Sequence, residues 1–126
     1  MTAAAVTKAD LLRRAADLVP VLKQRAAATE RLRRIPEETV RELAVSGLLR
    51  TGAPERFGGN GLEYYDTLDI AWELGRGCGS TAWCYALWTH HNWWMGNFPR
   101  EGQEEYFGTG PDTLCSSALN PAGAKA

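Results

Sequence analysis

The residues able to do chemistry crowd into one stretch, "WTHHNWWMGNFP", Trp88 to Pro99. Histidine titrates near neutral pH, so His90 or His91 could accept or share a proton there. Trp88, Trp93 and Trp94, with Tyr85 and Met95, are residue types that wall an apolar pocket for a planar ligand. Neighbouring helical residues point about 100° apart, so the two imidazoles do not share one site. A metal would prefer a histidine pair at i, i+4, and no carboxylate lies within a turn of either ring, so no metal site is expected. The plainer alternative is a buried histidine bonded to a backbone carbonyl, among tryptophans that are simply core.

These residues need helices to hold them. Thr7 followed by Asp10 has the form of a capping box, and Leu11, Ala15, Leu18, Leu22 and Ala26 continue as one apolar stripe. The stripe keeps its phase through Pro20, which predicts one kinked helix rather than two. Pro36, Glu37 and Glu38 suit the start of a second helix that buries Val40, Leu43 and Ala44 and stops at Gly47. The following "LLRTGAPERFGGNGLEYYD" reads as loop. Its glycines could offer amides to a phosphate, but they lack the usual nucleotide-loop spacings, so a structural connection is expected.

A third helix is expected over "YDTLDIAWELGRG", with Leu68, Ala71, Trp72 and Gly75 on one side. Ser80 could cap a fourth, beginning at Thr81 and apolar nearly all round, which predicts burial on several sides. Trp72 and Trp83 are assigned to packing, and His90 to a structural or interfacial role. Pro99 opens a short amphipathic turn, "PREGQEEYFG", closed by Gly108. "TLCSSAL" lacks helix formers, so a strand is expected at Leu114 to Ala118. A lone strand leaves backbone groups unpaired, so the chain reads as the N-terminal portion of a longer protein.

Composition sets the outer bounds. The chain has 126 residues and 44% apolar content, enough for one packed domain. Fourteen basic and 15 acidic residues leave a net charge of −1, which gives no electrostatic case for nucleic acid or an anionic membrane. Arg31, Arg33 and Arg34 beside Glu30 read as a solvated helix end or a subunit contact. Three cysteines without C-x-x-C spacing fit a reduced, cytoplasmic protein.

Taken together, "IPEETVRELAVSGLLRTGAPERFGGNG", "CGSTAW", "HHNWWMGNFP" and "GPDTLCSSALNPAGAKA" resemble the acyl-CoA dehydrogenase-fold flavoproteins. The likeness is strongest to the oxygenase components of two-component flavin-dependent monooxygenases, the branch acting on phenols and steroid-derived aromatics. It implies an all-α N-terminal domain of about five helices over residues 1–112, with 113–126 starting a β-barrel domain. It also implies a homotetramer, a separate flavin reductase, reduced flavin (FADH2 or FMNH2) and O2. The implied reaction is hydroxylation of a small aromatic substrate through a C4a-hydroperoxyflavin. By the same resemblance His91 is catalytic and faces the phenol. Trp88, Asn92, Trp94, Met95 and Ser117 line the substrate pocket, and Ser116 and Ser117 contact the flavin. Two other readings stay open: an acyl-CoA dehydrogenase proper, which a polar His-His-Asn cluster fits poorly, and, if 126 residues is the whole product, an inactive or partner-dependent interaction module.

Overall fold

The computed structural model describes residues 4–117, and among them five α-helices form the fold. They are α1 (Lys8–Leu32), α2 (Glu37–Val45), α3 (Tyr64–Gly75), α4 (Gly79–Met95) and α5 (Arg100–Phe107). Short 3₁₀ turns at Leu48–Arg50 and Glu55–Phe57 interrupt the connection between α2 and α3.

The capping box at Thr7 and Asp10 forms in both directions: the Thr7 hydroxyl accepts from the Asp10 amide, and the Asp10 carboxylate accepts from the Thr7 amide. These Thr7 bonds, backbone first, hold the Asp10 carboxyl down at about 2, helped by Arg13. From that start α1 runs as a single helix through Pro20. Its stripe packs Leu11, Ala15 and Leu22 against Leu43 of α2, Leu48 and Leu49 of the turn, Ile70 and Leu74 of α3, and Tyr85 of α4. Arg25 adds a forked hydrogen-bonded pair to Glu42, tying α1 to α2.

Several expectations are corrected here. Helix α4 starts at Gly79, with Cys78 as its N-cap residue, and Ser80 lies inside it, donating to Glu30. Helix α3 has two apolar faces rather than one. Thr67, Ile70, Ala71 and Leu74 are buried in the core, whereas Trp72 is 82% exposed. Trp83 on α4 is 69% exposed, so neither tryptophan assigned to packing is packed. Residues 113–117 form no strand, because among the described residues nothing pairs with them in a ladder. The rest of the expected strand, Ala118, lies outside the described residues. Among the described residues no helix is long and apolar enough to cross a membrane.

The glycine-rich connection is structural in its details. The amides of Gly59, Asn60, Gly61 and Leu62 donate to Pro54, Arg50, Ala53 and Thr51, so none is left for a phosphate. A Cβ on Gly59 would sit 2.0 Å from the Ala53 carbonyl oxygen, a separation that only glycine permits.

Candidate functional site

Helix α4 presents its two histidines to different surroundings. The His91 ring is 9% exposed and lies between two partners. Its Nδ1 is 2.5 Å from the Leu87 carbonyl oxygen, one turn earlier, and its Nε2 is 2.5 Å from Ser117 Oγ. A carbonyl only accepts, so Nδ1 carries the proton and Nε2 offers a lone pair to the Ser117 hydroxyl. The carbonyl-bonded alternative and the chemical one thus describe opposite edges of the same ring. Trp94 stands edge-on to His91 at 5.8 Å between ring centroids and is 44% exposed, which leaves this corner open to solvent.

His90 stacks on Tyr64 at 4.1 Å, and its Nε2 is buried without a hydrogen-bond partner. Burial, then the neighbouring His91 charge, pushes its pKa below the ordinary value, so it favours the neutral form. It closes one end of an apolar groove of about 680 Å³ between α3 and α4, walled by Leu68, Trp72, Trp83 and Leu87 over Gly75. His91 does not border this groove.

The other expected site residues separate into distinct roles. Trp88 packs against the hydrophobic core, and Met95 is half-buried near the end of α4. Trp93 meets Tyr64 edge-on at 5.6 Å. Ser116 and Ser117 are both exposed. Asn92 is fully buried, and both ends of its amide are occupied. Its Oδ1 accepts from the Tyr106 hydroxyl at 2.7 Å and its Nδ2 donates to the Thr113 carbonyl at 3.0 Å. Through the Thr113 carbonyl it grips the segment that leads to Ser117.

Sequence reasoning missed the rest of that grip. Arg50 forks onto Asp112, with Nε 3.1 Å from Oδ1 and Nη2 2.6 Å from Oδ2. The Thr113 hydroxyl donates to the Gly110 carbonyl at 2.8 Å, and Phe57 stacks on Phe107 at 5.1 Å. The available signals were a lone arginine in the apolar run "LLRTG" and an acid in "GPD", and no spacing rule connects positions 62 residues apart.

A five-helix domain with a histidine–serine pair at its open corner is the class of architecture defined so far. Residues 9–109 match the family described as acyl-CoA dehydrogenase, N-terminal domain, and the chain belongs to that family. Within it, the chain is similar to the flavin-dependent monooxygenase, oxygenase subunit HsaA, of Rhodococcus jostii (strain RHA1). The two are 35% identical over 107 residues, covering 85% of this chain and 28% of that protein. The FADH(2)-dependent resorcinol hydroxylase, oxygenase component, of Rhizobium sp. (strain MTP-10005) is 31% identical over 88% of this chain and 27% of its own length. The crystal structure of the HsaA monooxygenase from M. tuberculosis superposes with a TM-score of 0.81 at 33% identity, covering 86% of this chain and 30% of that one. The chain thus spans under a third of the length of these relatives.

Proposed function

We propose that this chain is the N-terminal helical part of the oxygenase component of a two-component flavin-dependent monooxygenase that hydroxylates a phenolic substrate. The observation that carries the reading is the Ser117–His91 pair, with Nε2 poised as a proton acceptor. The names of the relatives support it, since they are oxygenase components of flavin-dependent hydroxylases. The domain boundary is placed between residues 112 and 113.

The residues present fit one wall of a flavin and substrate site. Ser116 and Ser117 are exposed hydroxyls, and the Trp94 indole beside His91 is partly open for contact with a planar ring. Reduced flavin delivered by a separate reductase, together with O2, would supply the electrophilic oxygen. FADH2 is the form to test first, because the resorcinol relative's name carries it.

This chain's own residues would handle the phenol's proton. A phenol O–H donates to a Ser117 Oγ lone pair while the Ser117 O–H donates to His91 Nε2, so the proton has a continuous path to the imidazole. The Leu87 carbonyl holds the Nδ1–H and stabilises the imidazolium that results. Removing the proton puts electron density on the ring carbon to be oxidised. Trp88 packs on the core behind the helix, Trp94 stands beside His91, and Asn92 holds the Ser117 segment. The working assembly is a cytoplasmic homotetramer.

The test is His91→Ala in the whole protein, with hydroxylated product and hydrogen peroxide both measured per O2 consumed. General-base assistance is worth on the order of 10²-fold or more, so product should fall and peroxide should rise in step. Unchanged coupling overturns the assignment.

A further inference from the structure

We infer that Tyr106 is a positioning residue for the Ser117–His91 pair, acting through Asn92 and the Thr113 carbonyl. The inference rests on the proton-path reading above for its chemical meaning and on geometry for its content.

Asn92 follows His91 on α4, so the two side chains leave the helix about 100° apart and reach the same downstream segment at two points. His91 meets it at Ser117 and Asn92 meets it at Thr113. Three residues separate those points, and the four backbone steps can span at most roughly 14 Å, so holding Thr113 confines where Ser117 can go. No ladder secures residues 113–117, which leaves side chains to do so.

The Asn92 amide can hold Thr113 only in one orientation. The Thr113 carbonyl accepts and cannot donate, so Nδ2 must face it and Oδ1 must face the other way. Tyr106 supplies the donor that Oδ1 then requires, at 2.7 Å. Asn92 is fully buried, so no water replaces that donor without rearrangement. Burial, then the adjacent Cys115 thiol, pushes the Tyr106 hydroxyl above its ordinary range, which keeps it protonated at neutral pH. Phenylalanine at 106 would leave Oδ1 unpaired, free the amide to turn, and release Thr113.

The test reads the His91 ring directly, by long-range 1H–15N correlation in the 15N-labelled chain. Ser117→Ala removes the hydroxyl that donates to Nε2 and sets the direction of the change. Tyr106→Phe is expected to move the Nε2 signal in that same direction while the His90 nitrogens stay in place. Tyr106→Phe leaving Nε2 unmoved, with Ser117→Ala moving it, overturns the positioning role and spares the proton path. Ser117→Ala leaving Nε2 unmoved overturns both. Should Tyr106→Phe not fold, the unsubstituted chain gives a second reading. Its Asn92 side-chain amide protons must exchange with water as slowly as core amides, and fast exchange overturns the inference.

Discussion

Gly52 is where the turn after α2 touches the helix that carries the histidines, and its replacement by alanine gives a sharp test of that contact. A Cβ built on Gly52 lies 2.6 Å from the Thr89 carbonyl oxygen and 3.2 Å from Trp93 Cβ. Real Cβ atoms keep beyond 3.0 Å, so the turn and α4 must part by about 0.4 Å, the amount by which 2.6 Å falls short of that limit. The obstacle is helical backbone, which cannot rotate aside as a side-chain end would. Overpacking of this kind costs about 1–3 kcal/mol. At about 4 °C per kcal/mol for a chain of this size, Gly52→Ala should lower Tm by roughly 4–12 °C. Gly102→Ala is the control: nothing lies within 4 Å of its Cβ position on α5, and alanine should gain up to about 1 kcal/mol in helix propensity. Urea unfolding followed by far-UV circular dichroism measures both. If Gly52→Ala matches the parent chain within about 0.5 kcal/mol, the turn and α4 do not meet as described.

Two further outcomes follow from the same description. His90 has a folded pKa below its ordinary 6.5, so between those values the unfolded chain binds more protons and stability rises with pH. Acidification from pH 7 towards 5 should therefore destabilise the chain through this group, and His90→Phe should flatten that part of a urea-midpoint profile. An equally steep profile in the variant would place the pH sensitivity elsewhere. Trp72→Ser with Trp83→Ser should cost less than about 1 kcal/mol, because both rings are already exposed, whereas Leu74→Ala should cost about 2–5 kcal/mol. Comparable losses in the two variants would mean that the tryptophan face is packed in solution.

How far the sequence was legible depended on the range of the interaction. The capping box at Thr7, the α1 stripe and the α5 boundaries follow from neighbours within four residues, and local rules recover them. The start of α4 was misread because Cys78 is no preferred cap while Ser80 is, and here Ser80 bonds Glu30, 50 residues away. Trp72 and Trp83 were misread because a helix with two apolar faces does not announce which one meets the core. Residue type singled out the His90–His91 pair, but choosing His91 and its partner Ser117 needed the resemblance. The Tyr106, Arg50 and Asp112 contacts that deliver Ser117 join residues far apart in the chain, where periodicity carries no information.

The pair at the corner joins two unlike supports. His91 belongs to a helix packed into the core, and Ser117 belongs to a segment with no helix or ladder of its own. Such segments open locally at a free energy below that of global unfolding. At an opening cost of about 1.4 kcal/mol, the serine would be away from the imidazole roughly one-tenth of the time, and each further increment of that size would cut the absence tenfold. The proposed proton path would therefore have a duty cycle. That duty cycle is set at Asp112 and Thr113, so its rate of interruption could be tuned by substitutions that never touch the imidazole.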